Sequence, residues 1–387
     1  MAALVGAMAL AGLAGGCAPS QSRFAHLDQT RAREVARRLE AERGRELQED
    51  LRTAFAARPP RNILVLSGGG ADGAFGCGVL DGWRRAPGGR PTFDVVTGVS
   101  TGALIATFAF LGEQRDDAVL SQVYTHTRDA DIHDSPFTPG PADSVFDTAP
   151  LKRLIARYVT DETIDRVAQA HHEGRRLYVA TVDLDAGAVV IWPLSKLAAA
   201  GGPVSRARFR QVLLAAASVP VVFPPVEIDG DLHVDAGLRE AVFLRKAMLG
   251  FTRAYDATRS TARPNIPPTV WAVINGRLEV DPQPVDDDLV DIGVRSLTLY
   301  TQSLQLFNVR EVAHVAAAHD PPFEFRYIAM PRAMEPQPAP GLFTPMFDPA
   351  RMGRLYRAGQ AKGTKPDAWQ KGPPLLDEDE GPRASAS

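Results

Sequence analysis

The chain has 387 residues, of which 45% are apolar and 23% charged, a balance typical of a globular protein with a sizeable core. Its formal net charge of -3 argues against a nucleic-acid partner, which would favour a strongly basic face. Only Cys17 and Cys77 are present, so the composition excludes a disulfide framework and a cysteine-rich zinc site. No motif indicates a metal or an organic cofactor, so function must be read from local patterns.

Residues 1–22 carry no charged side chain and contain an apolar run that is too short for a comfortable membrane span. Such a run is typical of the apolar core of a secretory signal. The sequence LAGGC, ending at Cys17, resembles a bacterial lipobox, in which the cysteine is lipidated; a plain signal peptide is the alternative. We predict a signal peptide over residues 1–17, lipidation of Cys17, and anchoring to a membrane surface. Ala18 after the cysteine favours the outer membrane, with the protein facing the periplasm.

The next segment, residues 23–58, is rich in Arg, Glu and Ala and has only a thin apolar stripe. Pairs at i, i+4 spacing, such as Glu34 and Arg38, predict a mostly exposed helix. The polar composition at the other end of the chain is typical of a disordered tail. The chain therefore divides into a charged helical spacer, a folded domain and a C-terminal extension disordered at its end, over residues 18–60, 61–331 and 332–387.

Residues 62–83, NILVLSGGGADGAFGCGVLDGW, place a dense run of glycines directly after a strand-like apolar run. Bare backbone after a strand indicates that something approaches the main chain closely. A phosphate-binding P-loop would need Gly-Lys-Ser/Thr, whereas Ala-Phe-Gly follows Gly73. A dinucleotide-binding turn needs an acidic residue that closes the next strand, whereas Asp94 precedes that strand. Of three candidate roles for the glycines, a phosphate-binding loop, a dinucleotide-binding turn and an oxyanion hole, only the oxyanion hole remains.

The stretch FDVVTGVSTGALIA contains a G-x-S-x-G motif centred on Ser100, between a strand-like and a helix-like run. Such a tight turn needs small neighbours, here Gly98 and Gly102, and presents the serine at a helix N-terminus, where negative charge is favoured. We predict that Ser100 is a nucleophile and that the upstream amides stabilise the oxyanion. The oxyanion loop comprises Gly68, Gly69 and Gly70, with Gly73 as a further motif glycine.

Short β-rich runs alternate with amphipathic helical segments through the rest of the predicted domain. This alternation predicts an α/β fold with a mainly parallel central sheet covered by helices. Residues 128–150 are rich in Pro and Asp and lack periodicity. They are predicted to form a long loop, either a lid or an ordinary surface excursion.

A base for the serine is expected in AAASVPVVFPPVEIDGDLHVDAGLRE, where Asp235 follows a short strand. With this segment, the chain resembles the patatin-like phospholipase family. The family has a G-G-G-x-[RK]-G loop, a G-x-S-x-G elbow, an ASxxxPxxFPPV segment and a D-G-[GA] motif. Here these motifs occur in the same order, at residues 68–73, 98–102, 217–226 and 235–237. The resemblance covers about residues 62–250, including VATVDLDAG, which looks like the family's ATDLxTG strand.

The resemblance implies a three-layer α/β/α domain and a Ser–Asp dyad that cleaves lipid carboxyl esters. Ser100 would attack the ester of a phospholipid or lysophospholipid, and Asp235 would accept its proton. Water would then hydrolyse the acyl-enzyme, and Gly237 would be the motif glycine beside the base. The family implies neither a metal nor another cofactor.

Two residues depart from the family pattern. Asp72 stands where the family has Arg or Lys, and an anionic side chain there cannot stabilise an oxyanion. It must therefore point away or lower the rate. Ala236 adds a Cβ to the turn that carries the base. Asp72 thus leaves open a second hypothesis, a catalytically silent lipidated binding protein on the same fold.

A Ser–Asp–His esterase is the third hypothesis, because Ser100, Asp235 and then His319 or His314 follow the chain order of α/β hydrolases. The sequence around the two histidines is typical of a helix end, which favours exposed or capping roles. His233, two residues before the base, is expected on the same strand face, where it would tune the base or pack.

Overall fold

The computed structural model describes residues 27–133, 147–220, 222–240, 245–258, 266–279, 282, 284–285, 287, 289–331, 334 and 346–374. The predicted signal peptide with Cys17, the middle of the predicted loop over 128–150 and residues 375–387 of the tail predicted to be disordered over 362–387 lie outside these ranges. Residues 362–374 of that tail are ordered, because they end the last helix, form the short strand Gln370–Lys371 and bury Trp369. Within them, no helix is both long and apolar enough to cross a membrane.

Strands and helices alternate along the described chain. The strands are β1 (Asn62–Leu66), β2 (Val95–Gly98), β3 (Arg176–Asp183), β4 (Ala188–Pro193), β5 (Val226–Ile228), β6 (Asp231–Asp235), β7 (Thr269–Ile274), β8 (Glu324–Ala329) and β9 (Gln370–Lys371). The helices are α1 (Gln29–Ala57), α2 (Gly73–Arg85), α3 (Thr101–Leu111), α4 (Gln114–His126), α5 (Asp129–Ile132), α6 (Ala149–Tyr158), α7 (Asp161–His172), α8 (Leu194–Ala200), α9 (Gly202–Ala216), α10 (Arg245–Thr258), α11 (Leu289–Ala318) and α12 (Pro349–Gly363). Single 3₁₀ turns occur at Gly70–Asp72 and Ala236–Leu238.

The strands form one mixed sheet in the order β5-β6-β3-β2-β1-β7-β8-β9, with β4 paired to β3. The central strands β3, β2, β1, β7 and β8 are parallel to one another. β4, β6 and β9 pair antiparallel with their neighbours. The prediction of a mainly parallel α/β sheet is therefore confirmed.

Helices cover both faces of this sheet. In β1, Leu64 and Leu66 pack into a cluster with α2, α3, α4, α7, α9 and α12. The alternate residues Ile63 and Val65 pack with α1, α10 and α11. Because successive side chains of a strand point to opposite faces, the two clusters lie on opposite sides of the sheet. The predicted three-layer α/β/α arrangement is confirmed.

Helix α1 differs from the mostly exposed helix predicted over residues 23–58. Its first half is largely exposed, and the Asp28 carboxylate caps it. In the second half, Leu51 and Phe55 are fully buried against the sheet and α10. The Asp50 carboxylate accepts hydrogen bonds from Arg176 Nε, at 2.8 Å, and from the Tyr178 hydroxyl, at 2.5 Å. The apolar stripe was too thin to distinguish a covering helix from a solvated spacer.

Helix α12 lies beyond residue 331, in the predicted C-terminal extension, yet it packs directly on α2. A Cβ on Gly78 would lie 2.0 Å from the Tyr356 carbonyl oxygen, and one on Gly363 would lie 2.4 Å from that of Val79. The two backbones are therefore in contact. Part of the glycine content of residues 62–83 serves this helix packing and not the oxyanion loop, to which the sequence assigned it.

Candidate active site

The turn between β2 and α3 holds Ser100 in a strained conformation. Its φ of 55° and ψ of -128° lie in a region that residues other than glycine rarely adopt. The turn is closed tightly, because a Cβ on Gly98 would lie 2.3 Å from the carbonyl oxygen of Gly102. A Cβ on Gly102 would lie 2.5 Å from that of Leu66. The motif glycines thus permit the turn, which presents Ser100 at the N-terminus of α3, half-exposed.

Strand register brings Asp235 to this serine. Gly98 of β2 pairs with Val179 of β3, whereas Asp235 of β6 pairs with Thr181, two residues further along β3. β4 occupies the other edge of β3 along this whole stretch. The carboxyl ends of β2 and β6 therefore meet on a single edge of β3. Ser100, two residues beyond Gly98, and Asp235 converge where the two strands meet.

Asp235 is a buried carboxylate that is only partly satisfied. Its Oδ1 accepts a hydrogen bond from the Gly237 amide at 2.8 Å, which is the local role of that motif glycine. Its Oδ2 is buried and, among the described residues, has no hydrogen bond of standard geometry. Burial raises the pKa of Asp235 to about 6, although the Ser100 hydroxyl and the Gly237 amide oppose the increase. At neutral pH the group is a carboxylate that is poised to accept a proton.

The segment before β6 supports the base from below. The Asp235 amide donates to the carbonyl oxygen of Ser218 at 2.9 Å, and the Ser218 hydroxyl donates to that of Leu214 at 2.9 Å. Ser218 belongs to the ASxxxPxxFPPV-like segment and is fully buried. That segment therefore anchors the strand that carries the carboxylate.

The predicted oxyanion loop lies between β1 and α2. In the described chain, no hydrogen bond uses the amide N–H of Gly69 or Gly70, so both donors are available to a ligand. Asn275, which follows β7, fixes the base of the loop: its side-chain amide donates to the Ser67 carbonyl oxygen at 2.7 Å. A Cβ on Gly69 would lie 1.8 Å from the Asn275 carbonyl oxygen. The preceding Gly68 is buried, and Gly73 begins α2.

Asp72 does not leave its site but is paired there. Its Oδ1 lies 2.6 Å from Nη2 of Arg351, a residue of α12, and both side chains are buried. Burial raises the pKa of Asp72, while Arg351 and, more weakly, Arg277 lower it. The sequence gave no signal for Arg351, because 279 residues separate it from its partner.

The histidines considered for a triad lie elsewhere. His319 follows α11 at the edge of the sheet where β8 begins, and its Nε2 lies 3.1 Å from Asp256 Oδ1. Ser100 lies at the opposite edge, where the parallel strands end. His314 is exposed on the same α11. His233 shares the face of Asp235, but its Nδ1 lies 2.9 Å from Thr181 Oγ1 and its ring packs against that of Trp192.

One cluster in the described chain places three potential metal ligands close together. Asp183, Asp231 and His233 each place a ligand atom within 4.8 Å of the others, and all three are buried. Pairing of Asp183 with His233 across β3 and β6 creates the cluster, so sequence spacing could not reveal it. Arg43 Nη1 lies 3.8 Å from Asp183 Oδ2. This guanidinium places positive charge beside the Asp183 carboxylate.

One of three comparisons with known proteins, the comparison with family models, agrees with the motifs. Residues 64–248 match the family model described as patatin-like phospholipase. No curated protein matches the sequence significantly. A solved structure that is similar to this chain is the crystal structure of VipD from Legionella pneumophila; it shares 10% sequence identity, covers 81% of this chain and 68% of its own, and has a TM-score of 0.39. The predicted resemblance to the patatin-like family is confirmed for the matched residues.

Proposed function

We propose that this chain, which carries a patatin-like phospholipase domain over residues 64–248, is a serine acyl hydrolase that cleaves lipid carboxyl esters. The observation that carries the proposal is the meeting of β2 and β6 end to end on one edge of β3. It brings a strained serine and a buried carboxylate together beside unpaired backbone donors. Nucleophile, base and oxyanion donors are the three parts that acyl transfer requires.

In the first half of the reaction, Ser100 Oγ attacks the ester carbonyl carbon and its proton passes to Asp235 Oδ2. The carbonyl oxygen becomes an oxyanion, which the amides of Gly69 and Gly70 stabilise by about 3 kcal/mol for each donor. The tetrahedral intermediate then collapses and expels the alcohol, which takes the proton from Asp235. The fatty acyl group remains on the serine.

In the second half, water attacks the acyl-enzyme while Asp235 again accepts the proton. Collapse returns that proton to Ser100 and releases the fatty acid. The raised pKa of Asp235, about 6, supports direct proton transfer, because a carboxylate of ordinary pKa is a weaker base. The position of His319 at the opposite edge of the sheet favours this dyad over a Ser–Asp–His mechanism.

The proposed substrate is a phospholipid or a lysophospholipid. The matched family supports it, and so do exposed apolar side chains on α11, a helix that contacts the turn just beyond the base. The Tyr300 hydroxyl of α11 donates to the carbonyl oxygen of Leu238, just beyond the base, at 3.0 Å. Nearby on this helix, Leu299 and Phe307 are 37% and 59% exposed. Such side chains favour contact with acyl chains over contact with a water-soluble ester.

The proposed location is the bacterial cell envelope, with the chain anchored to the outer membrane through lipidated Cys17 and facing the periplasm. The lipobox-like sequence around Cys17 supports this proposal. Acyl chains on one cysteine add about 0.8 kcal/mol for each buried CH₂, which is enough to retain the protein at a membrane. The test is fractionation of cells that express wild type or Cys17→Ala. We expect the wild type in the membrane fraction and the variant released; equal distribution would refute the anchor.

The activity is tested with the full chain on mixed micelles of phospholipid and detergent, and fatty-acid release is measured. We expect Ser100→Ala and Asp235→Asn each to lose activity, and a fluorophosphonate probe to label wild type but not Ser100→Ala. Activity on short esters without fatty-acid release would restrict the function to a general esterase. A wild type that neither releases fatty acid nor reacts with the probe would support the catalytically silent alternative.

A further inference from the structure

The oxyanion loop contains one partner of a buried ion pair, which takes no part in the steps of the proposed reaction. Asp72 is the last residue of the 3₁₀ turn Gly70–Asp72, and this turn directly follows Gly69, whose amide is a proposed oxyanion donor. Its carboxylate is 2.6 Å from the Arg351 guanidinium, and the two residues are only 7% and 4% exposed. A pair so deeply buried is weakly screened by solvent.

An uncompensated carboxylate at this position would oppose catalysis. The reaction develops negative charge at the amides of Gly69 and Gly70, within a few residues of Asp72. Two like charges in one short loop repel even at an effective dielectric constant of about 20. Cations beside Asp72, which are Arg351 and, more weakly, Arg277, therefore favour the reaction.

Arg351 has the position and the spare donors for this role. It lies in the first turn of α12, where its amide donates to the Asp348 capping carboxylate at 3.1 Å. Its side chain reaches from there to Asp72. Within the described chain, Nε and Nη1 of Arg351 are buried without a hydrogen-bond partner. Only part of the guanidinium is thus used by the carboxylate, and its positive charge acts on the loop as a whole.

We propose that Arg351 is a positioning residue of the oxyanion loop, which holds the turn Gly70–Asp72 through its ion pair and supplies the positive charge that the loop itself lacks. The inference rests on the proposed acyl hydrolase function and adds a residue from outside the matched domain. It follows that the two partners of the pair have opposite effects on the reaction. Loss of Arg351 exposes the oxyanion to a carboxylate, whereas loss of the Asp72 charge leaves a cation beside it.

The experiment measures the second-order rate of Ser100 labelling by a fluorophosphonate, together with kcat and KM for a short soluble ester, on the full chain. We expect Arg351→Met to lower the labelling rate and kcat by about 10- to 100-fold, the order that one uncompensated nearby charge produces, with KM within about twofold. Asp72→Asn, which keeps the shape of the turn, is expected to raise the labelling rate by about threefold or more. Adding Asp72→Asn to Arg351→Met is expected to restore at least about tenfold.

Arg166→Met is the matched control. Arg166 likewise pairs with a buried aspartate from another helix, Asp116, although it does so through two nitrogens, at 2.7 and 2.8 Å, and also contacts Glu113. Its loss should affect the unfolding midpoint but leave labelling unchanged.

Equal losses of labelling rate in Arg351→Met and Asp72→Asn would overturn the inference, because a pair with a purely structural role would be disrupted to the same extent by removing either partner. Labelling of Arg351→Met at the wild-type rate would also overturn it. If Arg351→Met does not fold, the sign of the Asp72→Asn effect still decides. A wild type that is not labelled refutes the proposed function itself, a result distinct from any difference among these variants.

Discussion

The acid limb of the pH–rate profile is the most direct test of Asp235 as the base. Only the carboxylate form can accept the Ser100 proton, so kcat/KM should follow the ionised fraction of Asp235. Burial raises the pKa of this group from 3.8 to about 6. The expected limb therefore lies within an accessible pH range.

The size of the effect follows from that pKa. A group with a pKa of about 6 is about nine tenths ionised at pH 7 and about one tenth ionised at pH 5, so kcat/KM should fall about tenfold between them. With an unperturbed pKa, the same group would still be more than about nine tenths ionised at pH 5. The rate would then hardly change.

The assay is the initial rate on a short soluble ester between pH 4.5 and 8, because a soluble substrate avoids pH effects on vesicles. Return to pH 7 after each incubation checks that the enzyme has stayed folded. His319→Ala is the control, since the ring of His319 lies at the opposite edge of the sheet and the limb should persist without it. A flat profile down to pH 5, or a limb that disappears in His319→Ala, would refute Asp235 as the direct base.

Three further predictions concern stability and are measured by urea unfolding. The pKa of Asp235 is raised in the folded state, so its stabilising contribution is complete below pH 3.8 and is lost as pH rises through about 6. Asp235→Asn should therefore raise the free energy of unfolding by up to about 3 kcal/mol at pH 8 and by little at pH 4. Equal changes at both values would contradict this. Ser100→Gly should add about 1 kcal/mol while abolishing probe labelling, because glycine adopts the φ of 55° freely, and a less stable variant would argue against strain there. Leu51→Ala should lower the free energy of unfolding by about 2–5 kcal/mol, and Leu39→Ala, at a half-exposed position, by less than about 1 kcal/mol. Similar losses in the two variants would contradict the unequal burial of α1.

Local patterns were enough to predict the layers of the fold and the form of the serine turn. Alternating strand-like and helix-like runs predict a parallel sheet covered by helices, because the spacing of apolar residues within each run indicates its secondary structure and its buried face. The G-x-S-x-G motif predicts its turn because the steric demand falls on Gly98 and Gly102 themselves. These features depend on contacts among residues that are close in sequence, so they can be predicted from local sequence patterns.

Long-range pairings were not predictable in the same way. The convergence of Ser100 and Asp235 depends on which strand occupies each edge of β3, and a single sequence does not state that arrangement. Arg351 is one of many arginines, and nothing near it in the sequence marks Asp72 as its partner. The covering role of α1 was equally hidden, because a helix that is half solvated and half buried has a weak average pattern.

The site concentrates several features that oppose folding: a serine with positive φ, a buried carboxylate with an unbonded oxygen, and a second buried carboxylate in the neighbouring loop. Each persists only if the surrounding structure holds it in place. The elements that do so come partly from outside the matched domain, since α1 covers the far face of the sheet and α12 packs on α2 and pairs with Asp72. Residues 64–248 therefore carry the proposed nucleophile, base and oxyanion loop, whereas segments on either side of them complete the structure that holds these groups in place.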